Sequence, residues 1–438
     1  MSYGVLNFLY RLLWWVAAPV AVLRLLWRSR RESGYRRHIA ERFGYAPVSP
    51  ATGPGKLVWV HAVSVGETRA AQPLIDALLA ANPEIRILLT HMTPSGRATG
   101  EQVFGDRVQR CYLPYDLPQA VRRFLRHWQP AVGVLIDTEV WPTLIAECKC
   151  FGVPLVLANA RMSERSARRA ARFGRAAHTV FGALSKVLAQ SPGDAERLLH
   201  LGAREVMVLG NLKFDMALPP GALETAQAWR AAIGTRPVWA AANTREGEES
   251  EVLTAFQQVL HSATPAAPAT TALATTLLIL VPRHPQRFDE VAALIERAGL
   301  RYARRSSWDQ DPLPADTQVL LGDSMGELAS YYGASDLAFI GGSLLPLGGH
   351  NLIEACAVGV PVIIGPHTFN FTQASSDAIN TGAAVRVADT AGLAQAVVDL
   401  LSDPPRRIAM GEAAAAFAAR HRGATARIVR VLLAMIGL

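Results

Sequence analysis

Two carboxylates, one loop with two glycine pairs and one run of arginines carry the chemistry legible in this chain. Glu67 lies in Ser64-Val65-Gly66-Glu67-Thr68, directly after the apolar run 57–63. Glu139 lies in Asp137-Thr138-Glu139-Val140-Trp141-Pro142, directly after the apolar run 132–136. A carboxylate at the ligand edge of a sheet can take a proton from a hydroxyl if partial burial raises its pKa toward the working pH. A glutamate in a first helical turn can equally do no more than complement the helix dipole. The third stretch, residues 337–371, reads as strand, glycine turn, helix and strand, a βαβ unit of a parallel sheet. Gly341-Gly342 and Gly348-Gly349 would let backbone approach a ligand closely. A helix expected to begin near His350 would offer its free N–H groups to a phosphate, and Glu354, one turn in, could accept hydrogen bonds from ribose hydroxyls. A glycine turn with a purely structural role is the alternative. Finally, six arginines (161, 165, 168, 169, 172 and 175) fall within fifteen residues expected to be helical. A solvated charged face is the default for such a run, but arginine is also the preferred partner of phosphate groups.

The elements that must position these residues alternate between two periodicities. Short apolar runs at 57–63, 86–90, 132–136, 154–157, 187–189 and 206–209 read as strands separated by helical patterns, hence a parallel sheet with helices on both faces. In such sheets ligands bind at the carboxyl ends of the strands, where Glu67 and Glu139 both fall. Residues 215–237, with Pro219-Pro220-Gly221, read as a linker. A second series has strands at 238–242, 277–281, 318–321, 337–340, 361–364 and 384–387. The Ala/Thr/Pro-rich run 262–276 reads as a surface loop. The resulting division is 1–45, a basic anchoring segment; 46–216, a first α/β domain; 217–235, a linker; 236–405, a second α/β domain; and 406–438, C-terminal helices able to pack back on the first domain.

A chain of 438 residues suggests two cores rather than one. Half its residues are hydrophobic and 18% are charged, which excludes a disordered protein. The net charge of +8 is concentrated: residues 1–50 hold eight arginines against Glu32 and Glu41. That pattern indicates a membrane-surface segment and not a nucleic-acid binder. The four cysteines have no metal-ligand or redox spacing, and Cys148 and Cys150 read as reduced thiols of a cytosolic helix.

Residues 4–27 are apolar enough to meet a bilayer and long enough to span it, with a buried core helix as the alternative. Arg11, Pro19 and Arg24 oppose a deep span, since an arginine at the bilayer centre costs roughly 2.5–3.5 kcal/mol. Asn7 and Arg11 are four apart, on one helix face, which suits a helix lying in the interface. No small-residue cleavage site follows, so this is not a signal peptide. Arg28, Arg30, Arg31, Arg36 and Arg37 should stay on the cytoplasmic side near anionic lipid.

The order of these parts, and the motifs His61–Glu67, Glu139–Pro142, Asn159-Ala-Arg161, Gly210-Asn-Leu-Lys-Phe-Asp215, Pro282-Arg-His-Pro285 and 341–371, resemble the bacterial Kdo (3-deoxy-D-manno-octulosonic acid) transferases. So does the opening, an apolar segment followed by Arg37-x4-Arg42-Phe-Gly44. The resemblance runs from about residue 5 to 375. It implies a GT-B fold, two Rossmann-like α/β domains facing a cleft, with an N-terminal membrane-anchoring helix. It implies an inverting transfer of Kdo from CMP-Kdo to the lipid A precursor, at the cytoplasmic face of the inner membrane, without a metal ion or other cofactor. Glu67 would be the general base and Glu139 a support of the acceptor site, with Ser64, Arg161 and Lys213 binding substrate. Arg283, His284, Gly326, Gly348, Gly349, His350, Asn351 and Glu354 would hold the CMP moiety. Residues 243–248 (Asn-Thr-Arg-Glu-Gly-Glu) depart from the family, which more often shows serine and histidine there, and Asp137 stands where glutamate is commoner. Two rival readings share the fold or the site: another GT-B enzyme, such as a lipid-linked N-acetylglucosaminyl transferase or a UDP-sugar epimerase, and a non-enzymatic nucleotide-sugar binder.

Overall fold

Strands buried on both faces are largely apolar, and β1 (Leu57–His61) and β4 (Val132–Ile136) contain no exposed residue. In the computed structural model, which describes residues 3–30, 32–46, 55–263, 272–309 and 311–438, they belong to a seven-stranded sheet in the order β3-β2-β1-β4-β5-β6-β7. Its other strands are β2 (Arg86–His91), β3 (Gln109–Tyr112), β5 (Leu155–Ala160), β6 (Lys186–Ala189) and β7 (Val206–Val208). A second seven-stranded sheet has the order β10-β11-β9-β8-β12-β13-β14. It is built from β8 (Val238–Thr244), β9 (Leu277–Pro282), β10 (Tyr302–Arg304), β11 (Val319–Leu321), β12 (Leu337–Ile340), β13 (Val362–Ile364) and β14 (Ala384–Arg386). Every pairing in both sheets is parallel. Strand order reverses between β1 and β4 in the first sheet and between β8 and β12 in the second, which opens a crevice at the carboxyl edge of each.

The chain divides into one unit of Met1–Met216 with Arg422–Leu438, and another of Ala217–His421. The C-terminal helices therefore do not act as one block: Pro404–His421 belongs to the second unit, while Ala424–Met435 packs on the helix Val65–Ala81 of the first. Asp215 fixes that return by accepting the backbone N–H groups of Gly423 (2.6 Å) and Thr425 (2.5 Å) at the start of the last helix. The expected linker needs a larger correction, because Ala222–Ile233 is a helix of the second unit. The Pro-Pro-Gly sequence marks its start, and its buried side Ala222, Ala226, Trp229 and Ile233 repeats at helical spacing. Most of the Ala/Thr/Pro run lies outside the described residues, as do residues 47–54.

The N-terminal helix runs Tyr3–Arg28. Among the described residues no helix is long and apolar enough to cross a membrane. The helix is instead two-faced. Ala18 and Leu25 pack with Tyr35, Tyr115, Leu117 and Ala120, while Leu13, Trp15, Val20, Leu23 and Trp27 are exposed. The side chains of Asn7 and Arg11 are outside the described set. The segment after it is clamped: buried Arg42 donates to the carbonyl of Met92 (3.0 Å) and lies over the Tyr112 ring, and buried Glu41 accepts from the Tyr112 N–H (2.7 Å). Gly44 is required at its turn, since a Cβ there would lie 2.1 Å from the Ala120 carbonyl oxygen.

Trp229, fully buried, packs against Tyr331 with tilted rings whose centroids lie 5.0 Å apart. Trp229→Ala should cost about 3–5 kcal/mol in urea unfolding, the usual result of emptying a buried indole site. A mere tether would lose less than about 0.5 kcal/mol.

Candidate active site

The first crevice is lined by the turn after β1 and the loops after β4 and β5. Ser64 precedes the helix Val65–Ala81, which places Glu67 in its first turn. The Glu67 carboxylate folds back to accept the Val63 N–H (2.7 Å) and the Ser64 hydroxyl (3.1 Å), a variant of the capping box. Burial pushes its pKa up to about 7; the Val63 N–H opposes the shift, and the negative charges of Asp137 and Glu139 add to it. Glu139 is also raised, by burial and by Asp137, and accepts the indole N–H of Trp141 (2.8 Å). Asp137 itself has φ 64°, a left-handed conformation held by the Asn159 side-chain amide, which donates to its carboxylate. Asn159, also left-handed at φ 53°, accepts the N–H of Leu212 (3.0 Å) and so ties the motifs at 159–161 and 210–215 together.

Glu67, Asp137, Thr138, Glu139, Arg161, Ser163 and Ser166 line one cavity of about 230 Å³. Of the expected site residues this brings together Glu67, Glu139 and Arg161. Ser64 acts behind them, on Glu67, and Lys213 is half-buried in the short helix Leu212–Asp215, not on the cavity wall. Asp137, Thr138, Ser163 and Ser166 are not among the expected residues; the spacing of Asp137 from Glu139 is the available signal. Of the remaining arginines of the cluster, 165, 168 and 169 lie on an exposed helix, Glu164–Ala171, Arg172 lies in the turn beyond it and Arg175 opens a second helix, Arg175–Phe181, so the run is not one continuous helix.

The second crevice departs further from expectation. The first glycine pair does not offer its N–H groups to a ligand. Buried Glu248 takes those of Gly342 (2.6 Å), Ser343 (3.1 Å) and Leu344 (3.0 Å), supplying from within the protein the anion such a turn favours. The helix begins at Ile353, not near His350, and has six residues. Asn351 precedes it, donating to Glu354 (3.0 Å) and accepting the Ile353 N–H (3.1 Å). Gly348 is forced by close approach: its φ is 96° and a Cβ would sit 2.3 Å from the Asn370 amide nitrogen. Gly349 follows at φ 73°, and exposed Gly326 lies at φ 87° in the turn after β11. A group of cations forms around His350. Its pKa is lowered to about 4 by burial, then by the positive charges of Arg283, Arg245 and His284. His284 is lowered too, by burial and by Arg245, Arg283 and Arg287. Arg287 is paired with Glu249 (3.2 Å) and Glu290 (3.0 Å). Arg245, in the stretch given no role from sequence, thus belongs to the same group as Arg283, His284 and His350. Among the described residues, no three His, Cys, Asp or Glu side chains are arranged to hold a metal ion.

Two parallel seven-stranded sheets, each with its reactive side chains at a strand-order reversal, define a GT-B-type glycosyltransferase. The model for glycosyl transferases group 1 matches residues 301–417, and that for 3-deoxy-D-manno-octulosonic-acid transferase (kdotransferase) matches residues 37–216. A 3-deoxy-D-manno-octulosonic acid transferase of Bordetella pertussis is 47% identical, over 96% of this chain and 97% of its own length. One of Haemophilus influenzae is 36% identical, over 97% and 98%. The chain belongs to the 3-deoxy-D-manno-octulosonic acid transferase family. The UDP-GlcNAc 2-epimerase of Neisseria meningitidis shares the fold alone, with TM-score 0.59 and 14% identity over 86% of this chain and 99% of that one.

Because folding raises the Glu67 pKa, the folded state holds a proton that the unfolded state has released between its ordinary value of 4.5 and about 7. Stability contributed at low pH is therefore lost across that window. Glu67→Gln should raise the melting temperature relative to wild type more at pH 8 than at pH 5. A difference independent of pH would show that Glu67 titrates normally.

Proposed function

We propose that this enzyme transfers Kdo from CMP-Kdo to the lipid A precursor lipid IVA, with inversion, at the cytoplasmic face of the inner membrane during lipopolysaccharide synthesis. The observation that carries the reading is Glu67, half-buried at the β1–β4 crevice with a pKa of about 7. At that value much of the population is ionised near neutrality, yet the carboxylate remains basic enough to accept a proton in the transition state. The acceptor hydroxyl oxygen forms a bond to the anomeric carbon of Kdo while its proton passes to Glu67. The bond from that carbon to the phosphate oxygen breaks on the opposite side, and CMP leaves with the electron pair. Glu139 holds the acceptor, with Arg161 beside it on the cavity wall. Arg283, Arg245 and the Gly348–Asn351 loop receive the phosphate, and Glu354 faces the ribose. On this reading fixed cations stabilise the departing charge and no metal is required. The apolar outer face of the N-terminal helix and the exposed arginines around it suit a helix lying in the lipid interface.

Mass spectrometry of the product formed from CMP-Kdo and lipid IVA tests the substrates directly; no mass increase on lipid IVA would refute them. Glu67→Gln should lower kcat roughly 10²–10⁴-fold and leave the CMP-Kdo affinity unchanged. Since the base must be unprotonated, wild-type kcat/KM should rise with pH through about 7 and then level. That limb should vanish in the variant, and turnover within tenfold of wild type would remove Glu67 from the role.

Neutralising Arg165, Arg168 and Arg169 together should raise the acceptor KM and flatten its dependence on salt, as expected for exposed charges meeting phosphates. An unchanged KM would return these residues to a solvated face.

A further inference from the structure

The buried side of the N-terminal helix reaches the acceptor-side loop by two routes. Tyr10 donates its hydroxyl to Asp116 (2.8 Å), and the same buried carboxylate accepts the N–H groups of Thr143 (2.9 Å) and Leu144 (2.7 Å). Those N–H groups open the helix Pro142–Cys150, directly after the loop that carries Glu139. One turn further along the N-terminal helix, Trp14 packs against Tyr115 and Trp141, with centroids 5.7 and 6.4 Å apart. Trp141 is the residue whose indole N–H donates to Glu139 (2.8 Å). The segment 139–144 is thus held at its carboxylate end through Trp14 and Trp141, and at its helix end through Tyr10 and Asp116. A segment whose only task was to attach the enzyme to a surface would need neither contact.

We propose that Tyr10 and Trp14 are positioning residues for Glu139, so that the helix presenting an apolar face outward also sets the acceptor-side carboxylate. The proposal rests on the reading of Glu139 as an acceptor-site group. Trp14 acts by fixing the Trp141 ring, hence the direction of the N–H that orients one Glu139 oxygen. Tyr10 acts by completing the set of three donors that holds Asp116, which anchors the next helix. Loss of either loosens Glu139 without touching the groups around Arg283 in the other unit.

The test is steady-state kinetics on the full-length enzyme with lipid IVA and CMP-Kdo, comparing Trp14→Ala, Trp14→Phe, Tyr10→Phe, Glu139→Gln and the Trp14→Ala/Glu139→Gln double variant. Trp14→Ala should lower kcat/KM for the acceptor about tenfold, a coupling of ordinary size for groups in one contact network. Trp14→Phe should recover most of the loss and Tyr10→Phe should lose less. CMP-Kdo affinity, measured by titration on the same samples, should be unchanged in all, and near-ultraviolet circular dichroism of the same samples should match wild type, showing that the first unit is folded. In the Glu139→Gln background Trp14→Ala should have almost no further effect. A full tenfold loss there, or a Trp14→Ala enzyme with lower melting temperature but acceptor kcat/KM within twofold of wild type, would overturn the proposal. If Glu139→Gln itself stays within twofold of wild type, the acceptor-site reading of Glu139 falls and takes the proposal with it.

Discussion

Three carboxylates crowd one sheet edge, and the first unit is arranged around keeping them there. Asp137, Glu139 and Glu67 share a cavity wall; Glu67 is pushed toward neutrality by burial and then by Asp137 and Glu139, and Glu139 by burial and then by Asp137. Left to themselves, like charges at such range would separate or protonate. Two buried supports prevent separation. Asn159 holds Asp137 in a left-handed conformation while its own carbonyl oxygen takes the Gln190 amide (2.8 Å). The Glu67 helix meets the sheet through buried Thr68, whose hydroxyl lies 3.4 Å from His91 Nδ1 of β2, and is covered on another side by the C-terminal helix. Burial is the main cause of a Glu67 pKa suited to accepting a proton near neutral pH, and the charges of Asp137 and Glu139 held beside it add to the shift.

Both sheets use the same device at the carboxyl end of one strand. In β5 the register shifts at its carboxyl end, between Leu157 and Ala160, and in β8 between Ala242 and Thr244. Each irregularity contains a left-handed asparagine, Asn159 in one and Asn243 in the other. A bulge of this kind bends the strand end and re-aims the following side chains. After Asn159 it sends Arg161 to the cavity; after Asn243 it sends Arg245 toward His284 and His350. Strain concentrated at these two points fits chemistry at both edges.

The sheet, its parallel sense and the placing of Glu67 and Glu139 were legible because each depends on local pattern: apolar runs of strand length, then a turn residue set. What was not legible depended on distant partners. Nothing in the sequence around Gly341-Gly342 says that Glu248, more than ninety residues earlier, will occupy its N–H groups, so a binding loop was expected where a structural one stands. The Pro-Pro-Gly stretch reads as a break because turn residues open it, and only the buried face of Trp229 shows that the break ends at Gly221. Strands β3 and β10 went unread because their sequences, Gln-Arg-Cys-Tyr and Tyr-Ala-Arg, are edge strands with little apolar content. The N-terminal segment was read by its composition as an anchor. Composition describes only its outward face, and the inward face of Tyr10, Trp14 and Ala18 becomes visible only through what it touches.

Acidic residues in this fold sort by what their oxygens face, backbone donors of a loop or helix start in one group and an open cavity in the other, and the sorting separates structure from chemistry. Glu248 is met by backbone N–H groups of Gly342, Ser343, Leu344 and Arg245. Asp116 takes two N–H groups and a hydroxyl, and Asp215 takes two N–H groups of the last helix. Each of these serves as a remote cap, satisfying donors that a loop or a helix start would otherwise bury unpaired. None of the three lines the cavity that Glu67 and Glu139 face, so none is placed to meet a substrate proton. Glu67 and Glu139 are different: Glu67 has one backbone N–H and one hydroxyl, Glu139 one indole N–H, and both open onto a cavity. They combine burial enough to raise the pKa with lone pairs still able to meet a hydroxyl, which neither an exposed glutamate nor a saturated one can offer.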